Sequence, residues 1–294
     1  MDRGYARGVR HDAGSRVRAR LCRGQVRARA GETLTTLRLT VEYDGTDFRG
    51  FQWQPNTRTV AGELEVALAK LFGAVKVTGA GRTDSGVHAT GQVVSLNAPE
   101  GFPLERLAPA LRGLLPPDLT MREHGVADPG FSARFSAVER VYVYAILNRG
   151  APSALLARYA HHVANALDLG AMRAAATGLV GERDFRSFSA APADAATLRE
   201  VRRIALEPRG ELLRVEVAAD GFLHHMVRTI VGTLIECGTG RRDPAGIPAI
   251  LEARERTAAG LTAPAQGLYL AGVRYPDGYD SFAEPPIFRN LPKP

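Results

Sequence analysis

The chain has 294 residues, 45% of them hydrophobic and 23% charged, which suffices for one large or two ordinary domains with substantial cores. It has no run of about 18 apolar residues and no apolar secretory signal near its first residue, so we expect neither a membrane protein nor a secreted one. Cys22 and Cys237 are its two cysteines, too few for a disulfide framework or a metal cluster, and they favour a reducing cytoplasm.

The net charge of +7 is concentrated at the beginning of the chain. Residues 1–32 hold nine arginines and three acidic residues, a balance of +6, so residues 33–294 carry only +1. Overall charge therefore does not mark the folded part as a nucleic-acid-binding protein, and such binding has to rest on a local basic cleft. We predict that residues 1–33 form a disordered basic tail, which is either an arm that contacts RNA or an extension without function.

The sequence pattern of residues 34–135 predicts an N-terminal domain of strands and helices. Residues 37–43 alternate between apolar and polar side chains, the pattern of a half-buried strand. Residues 60–72 follow helical spacing, and Gly73 suits the C-terminal cap of that helix. In chain order we predict a strand at 37–43, a helix at 60–72, short strands at 75–78 and 92–96, a helix around 104–115 and a strand near 119–126.

Residues 136–294 predict a C-terminal domain. Asp168 suits a helix N-cap, and residues 222–236 are apolar nearly all round, as in a buried helix. In chain order we predict a strand at 138–147, a helix after Asp168, strands at 200–206 and 212–218, a helix at 222–236, a helix that begins at Asp243-Pro244 and a closing strand at 268–275. Both halves alternate strands and helices without a glycine-rich nucleotide-binding motif, a pattern compatible with more than one kind of α/β fold.

The most distinctive segment is residues 79–93, with the sequence GAGRTDSGVHATGQV. Its glycines permit backbone conformations and close approaches that other residues cannot adopt. The predicted strands on either side place Asp84 on a loop between sheet elements, two residues after Arg82. A carboxylate among glycines and beside a guanidinium is well placed to meet a ligand while staying ionised. The alternative is an aspartate that only caps a turn.

This segment resembles the catalytic loop of the TruA-type tRNA pseudouridine synthases, which isomerise uridine in the anticodon arm of tRNA. Further segments are similar to other blocks of that family, and together the matches cover roughly residues 35 to 276. They are Tyr43–Phe48 followed by Gly50-Phe51-Gln52, then Phe131–Ala137, Phe222–Arg228 and Gln266–Leu270.

The resemblance implies an α+β fold made of two α/β halves of ferredoxin-like character. These halves would share a mixed, largely antiparallel sheet with a cleft between them. It also implies an enzyme that acts on uridines 38, 39 and 40 of the anticodon stem-loop, as a homodimer with each tRNA lying across both subunits. The reaction changes the atom of the base that is bonded to the ribose from N1 to C5. Because it involves no redox change and no group transfer, we expect no cofactor.

Three residues are expected to carry the chemistry. An ionised carboxylate can serve as nucleophile or can take a ribose proton, and the resemblance assigns this role to Asp84, with the nucleophile as our prediction. The resemblance implies that Tyr142 stacks under the flipped-out base and helps to remove the C5 proton. Arg228, on the same predicted helix face as His224, is the candidate cation that offsets the desolvation of Asp84. The alternatives are another acidic partner for Arg228 and a purely structural tyrosine on the sheet face for Tyr142.

Four further residues are expected to bind the substrate. The resemblance assigns Arg82 to the RNA backbone and to extrusion of the target nucleotide, and Arg134 is a plausible phosphate contact. Phe131 comes from the same segment as Arg134, and we expect it at the substrate site as well. Leu268 would form an apolar wall opposite Tyr142, although a strand leucine is almost equally well explained as part of the core.

Two histidine pairs, His161-His162 and His224-His225, raise the question of a metal. Neighbouring residues on a helix or strand do not converge on one ion, and no cysteine or carboxylate cluster joins these pairs. We therefore expect no metal site.

Two other functions compete with the enzyme that the resemblance implies. A non-catalytic RNA-binding protein of the same fold would have lost the aspartate or its arginine, whereas this chain has both. A carboxylate-dependent glycosidase or nucleosidase usually needs a second acid for the leaving group, and no second acid occurs in a comparable context.

Overall fold

A computed structural model describes residues 33–190, 192, 194–276, 278–289 and 291. The predicted tail lies outside the described residues except for Thr33. The described strands are β1 Leu34–Tyr43, β2 Thr78–Gly79, β3 His88–Pro99, β4 Leu119–Val126, β5 Glu139–Asn148, β6 His161–Val163, β7 Gly181–Asp184, β8 Leu198–Arg209, β9 Leu212–Ala219, β10 Leu268–Arg274 and β11 Ser281–Phe282. The described α-helices are α1 Val60–Phe72, α2 Leu107–Leu114, α3 Leu169–Thr177, α4 Met226–Gly238 and α5 Ile247–Ala253.

One sheet connects the two halves of the chain. Its strand order is β4-β1-β3-β10-β5-β9-β8-β7, with β2 on β3, β6 on β5 and β11 on β10. The pairs β3–β10 and β5–β6 are parallel and the others are antiparallel. Strand β10 joins the halves, because Tyr269 and Leu270 lie opposite His88 and Ala89 on one side and β5 pairs with β10 on the other. The predicted α+β fold with a mixed, largely antiparallel sheet is confirmed.

Helix α1 has the bounds that its sequence predicts. The Thr59 hydroxyl accepts a hydrogen bond from the Gly62 N–H and caps the first turn. The apolar side chains of α1 that follow helical spacing, Val60, Leu64 and Leu68, are fully buried. Local capping and periodicity are therefore sufficient to define this element.

Helix α4 is buried nearly all round, as predicted, and Cys237 is a small core residue within it. A Cβ added to Gly232 would lie 1.7 Å from the carbonyl oxygen of Leu261, so glycine is what allows the segment after α5 to contact the helix directly. In the same segment, the Ala263 N–H donates to the carbonyl oxygen of Arg228. These contacts hold α4 against the segment that leads into β10.

The helix predicted at 222–236 begins four residues late. The residue before α4, His225, has φ 64°, in the left-handed region, which an α-helix does not enter. The carbonyl of His224 accepts the Ala190 N–H, so a tertiary contact holds this turn. His224 and Arg228 therefore do not share a helix face, contrary to the prediction.

Two strand predictions also differ from the structure. The strand predicted at 75–78 is reduced to Thr78–Gly79, and the one predicted at 92–96 extends over His88–Pro99. Strand β3 is longer because it pairs along nearly its whole length with β1 and at its beginning with β10. Such long-range pairing lies outside what local alternation of side chains reveals.

Candidate active site

A cleft of about 1180 Å³ lies between the segment at residues 79–87 and the beginning of α4. Among its described lining residues Asp84 is the single acidic one. Its arginines are Arg49, Arg82, Arg134, Arg140, Arg199 and Arg228. The local basic cleft that the charge distribution required is therefore present, even though the folded part of the chain is nearly neutral.

The loop that carries Asp84 is fixed by hydrogen bonds on both sides. The Gln92 side chain donates to the carbonyl oxygen of Gly81 at 2.7 Å and accepts from the N–H of the same residue at 3.2 Å. The hydroxyls of Thr83 and Tyr43 lie 2.8 Å apart. Gly50 makes room for the loop, because it has φ 89° and a Cβ there would lie 2.8 Å from the Thr83 carbonyl oxygen. Asp84 is thus held in place by its neighbours.

Arg228 contacts Asp84, the partner that the sequence predicts for it. Its Nη1 donates to Asp84 Oδ2 at 3.0 Å, and its Nε donates to the Ala263 carbonyl at 2.8 Å. The side chains of Arg228 and Asp84 are 16% and 22% exposed, so the ion pair lies at the floor of the cleft and still faces solvent. The Ala263 carbonyl orients the guanidinium so that Arg228 donates to Oδ2 of Asp84 and not to Oδ1.

Both histidines of the 224–225 pair also face Asp84, which corrects the expectation that they do not converge. His224 Nε2 lies 3.6 Å from Oδ1 and His225 Nε2 lies 3.6 Å from Oδ2. The physical reason is the left-handed conformation of His225, which brings the centres of the two rings to 3.9 Å, with their planes tilted by 38°, instead of separating them around a helix. Potential metal ligands of the three residues lie within 4.8 Å of one another. Burial lowers the pKa of His225, which favours the neutral imidazole.

Tyr142 and Leu268 line the same cleft. Tyr142 projects from β5, and its ring meets Phe222 edge-on at 5.1 Å. Burial raises the pKa of Tyr142 well above its usual range, and the negative charge of Asp84 acts in the same direction, so its hydroxyl stays protonated. Leu268, at the beginning of β10, is buried. In the register of β5 and β10, Leu268 pairs with Tyr144 and Leu270 pairs with Tyr142, so Leu268 lies beside Tyr142 on the same sheet face and not opposite it, which corrects the predicted opposite wall.

Arg82 and Arg134 also line the cleft, but Phe131 does not. No described acidic side chain lies within 4.0 Å of either arginine, in contrast to Arg228. Phe131 is 9% exposed and packs 5.1 Å from each of the rings of Tyr275 and Tyr279, outside the cleft lining. Its expected place at the substrate site is therefore corrected: the phenylalanine of this segment that reaches the cleft is Phe135.

Sequence reasoning missed several lining residues, among them Arg140, Phe222 and the two histidines. Arg140 and Tyr142 share one face of a strand, a pattern visible in the sequence that points to Arg140. No comparable signal marks the histidines, because their convergence depends on one backbone angle.

The sequence of the chain matches the model of a known protein family over most of its length. The family model described as tRNA pseudouridine synthase matches residues 39–135 and 175–276. The chain belongs to this family.

Individual relatives agree with that assignment. The chain is 42% identical to tRNA pseudouridine synthase A of Bacillus subtilis over 243 residues, which cover 81% of this chain and 98% of that protein. The corresponding enzyme of Acetivibrio thermocellus is 42% identical over 82% of this chain and the whole of that protein, and that of Methylobacterium nodulans is 44% identical over 82% and 96%. The protein is an isomerase that acts on tRNA and forms pseudouridine from uridine. None of its described helices is both long and apolar enough to span a bilayer.

Proposed function

We propose that the protein converts uridines 38, 39 and 40 of the tRNA anticodon stem-loop to pseudouridine, with Asp84 as nucleophile on a flipped-out uridine. The observation that carries this proposal is the position of Asp84 as the single described acid in a cleft lined by six arginines. The arginines suit the phosphates of an RNA stem, and the carboxylate suits the reaction of a nucleoside inserted among them. A nucleosidase would need a second carboxyl group for the leaving base, and the described lining offers none.

The reaction is balanced without an external reagent. The Asp84 carboxylate attacks C1′ of the ribose, and the C1′–N1 bond breaks with its electron pair on the base. The base turns, C5 attacks C1′, and the carboxylate leaves. Loss of the proton from C5 and gain of a proton at N1 complete an isomerisation, so we propose an enzyme without a cofactor.

Arg228 supports this chemistry by its position and its charge. A carboxylate covered by a base loses hydration, and a guanidinium at 3.0 Å offsets that loss. Because the Ala263 carbonyl holds the guanidinium, the same arrangement remains available as the base turns. We propose Arg228 as the residue that keeps Asp84 ionised and oriented.

We propose Tyr142 as the surface on which the flipped uracil stacks, with Leu268, its diagonal neighbour on the adjacent strand, as an apolar part of the same surface. Because burial keeps the Tyr142 hydroxyl protonated, it would relay the C5 proton rather than act as a phenolate base. Arg82 and Arg134, which have no described acidic partner, would bind phosphates beside the extruded nucleotide. Flipping costs a few kcal/mol, which these contacts would offset.

We further propose that the enzyme works in the cytoplasm as a homodimer with each tRNA lying across both subunits. Residues 33–294 carry a net charge of only +1, so one protomer has little general field to hold a long polyanion. A two-fold axis would join two basic strips into one groove. Light scattering of the active protein tests this point, and a monomeric mass with full activity on whole tRNA would contradict it.

The proposed reaction is tested by mapping pseudouridine in unmodified tRNA after incubation with the purified protein. We expect new pseudouridine at positions 38–40 and a loss of at least about a thousandfold in rate for Asp84→Asn, with tRNA affinity largely retained. Asp47→Asn, an exposed aspartate outside the cleft lining, is the matched control and is expected to keep the wild-type rate. Pseudouridine formation by Asp84→Asn would remove Asp84 from the mechanism, and modification elsewhere would overturn the proposed positions.

A further inference from the structure

Phe135 is an exposed aromatic residue on the wall of the cleft that holds Asp84. Its side chain is 79% exposed, although phenylalanine is normally buried. Phe282, the other strongly exposed phenylalanine among the described residues, lies on β11 outside the cleft lining. The Arg134 guanidinium lies 5.2 Å from the centre of the Phe135 ring. An apolar face and a cation are thus presented side by side at the cleft.

The turn that carries Phe135 is anchored from the protein interior. The N–H of Ser136 donates to the carbonyl of Ser132 at 2.9 Å, and the Phe135 N–H donates to the Ser132 hydroxyl at 3.4 Å. Ala133 is fully buried, with its N–H donating to the Ser95 hydroxyl and its carbonyl accepting from Tyr275. The exposure of Phe135 therefore belongs to a turn whose other residues are fixed.

Arg140 ties this turn to the loop that carries Asp84. Its guanidinium donates to four carbonyl oxygens: those of Ala80 at 3.2 Å, Asp220 at 2.7 Å, Ala137 at 3.1 Å and Arg134 at 2.5 Å. Two of these carbonyls belong to the segment around Phe135, and Ala80 lies four residues before Asp84. The guanidinium thus holds the backbone on both sides of Phe135 against the loop that carries Asp84.

We infer that Phe135 and Arg134 form a second binding subsite, one for the nucleobase next to the target uridine. This inference rests on the proposed function, in which the uridine leaves its stack. Departure of the uridine leaves one face of the neighbouring base without a partner, and the Phe135 ring supplies a face of the right chemistry. The Arg134 cation lies where it meets the phosphate of the same nucleotide. Stacking of this kind accepts any base, so the subsite selects position rather than sequence.

The subsite is tested with anticodon-arm RNAs whose neighbouring nucleotide, on the 5′ or the 3′ side of the target, is replaced by an abasic one. Binding is measured with Asp84→Asn as background, so that turnover does not interfere. With Phe135 present we expect one of the two abasic RNAs to bind about tenfold more weakly than the intact RNA. Phe135→Leu should bind the intact RNA and that abasic RNA equally well. Phe135→Trp should restore the preference for the intact RNA.

Phe282→Leu serves as the matched control, because it makes the same change at an exposed phenylalanine outside the cleft. It should keep the preference for the intact RNA. If Phe135→Leu discriminates between intact and abasic RNA as strongly as its Phe135 parent, the subsite is refuted. Because the assay measures binding, this result is distinct from failure of the proposed reaction, which would appear as absent pseudouridine with the wild-type protein.

Discussion

The arginines on the two sides of the central sheet differ in whether they have acidic partners. On the rear face, Arg214 is paired with Glu216 at 2.6 Å and Glu284 at 2.7 Å, and Arg203 is also paired with Glu216. These four residues are called the rear cluster below. In the cleft, Arg228 has its one carboxylate, whereas Arg82, Arg134 and the other lining arginines have no described acid within 4.0 Å.

This difference separates structural charge from functional charge. A buried arginine paired with two carboxylates has its cost compensated inside the protein, and its loss leaves unpaired acids. An arginine that lacks an internal partner is available for a phosphate. Net charge hides the contrast, because it sums all charges of the chain and does not record which arginines already have an acidic partner. The following changes test the contrast, beginning with the largest expected effect.

Arg228→Ala breaks the ion pair between Arg228 and Asp84. We expect pseudouridine formation to fall at least a hundredfold and the free energy of unfolding to fall by about 3 kcal/mol, the low end for a buried pair, because both side chains keep some exposure. Single-turnover assays and urea denaturation measure the two effects. Arg228→Lys keeps the charge and should retain part of both; an Arg228→Ala enzyme with wild-type rate would contradict the proposed role.

Arg214→Met breaks the rear cluster and leaves the cleft intact. Because Arg214 is only 5% exposed, and because its loss leaves Glu284 without its cation and Glu216 with Arg203 alone, we expect about 3 kcal/mol of destabilisation. The rate on saturating tRNA at a temperature where the variant is folded should not change. A loss of catalysis without a loss of stability would reverse the assignment of the two faces.

The rear cluster also predicts a pH dependence of stability. Burial raises the pKa of Glu216, but the hydrogen bonds and charges of Arg214 and Arg203 outweigh it and lower that pKa below its usual value. A lowered folded-state pKa gives stability that is present above the ordinary glutamate pKa and is lost as the pH falls through about 5 to 3. Unfolding free energies measured across this interval should fall less steeply for Arg214→Met than for the wild-type protein. Parallel pH profiles would contradict the coupling.

Arg82→Ala and Arg134→Ala test the cleft arginines that lack an acidic partner. Each variant should lower the slope of log Kd against log salt for tRNA by about 0.7–0.9, because one phosphate contact is lost. Arg203→Ala, from the rear cluster, is the matched control and should leave the slope unchanged. Equal slopes for all three variants would show that the presence of an acidic partner in the protein does not decide which arginines bind RNA phosphates.

Deletion of residues 1–33 has the smallest expected effect. All proposed catalytic residues lie beyond this segment, so the rate on saturating tRNA should not change. Its nine arginines should strengthen binding at low salt, where charges are least screened. Titrations at two salt concentrations measure this, and a collapse of the maximal rate would show that the segment belongs to the active fold.

Local signals predicted much of the fold. The bounds of α1 followed from periodicity and Gly73, and the cap at Asp168 is present because its side chain accepts the N–H groups of Gly170 and Ala171. The beginning of α4 was mispredicted, because the apolar residues at 222 and 223 continue a helical pattern that the left-handed His225 interrupts. That angle is held by a contact with Ala190, far away in sequence.

The site was predictable to a similar extent. The resemblance directed attention to Asp84, and the need of a buried arginine for an acid selected Arg228, which does contact it. Phe131 and Phe135 occur in the same seven-residue segment, and nothing in the sequence says which ring faces the cleft. The turn geometry buries Phe131 against two tyrosines and leaves Phe135 outside. Side-chain direction in a turn depends on tertiary contacts that periodicity does not capture.

The central place of β10 has a consequence for synthesis of the protein. This strand begins at Leu268, yet it fills the gap between β3 and β5, which leave the ribosome more than a hundred residues earlier. Until it arrives, a nascent chain carries two unpaired strand edges in the middle of its sheet, the kind of surface that aggregates and that chaperones cover. Leu268 itself is a wall of the cleft. A nascent chain that still lacks β10 therefore lacks part of the lining of the cleft that we propose as the tRNA site.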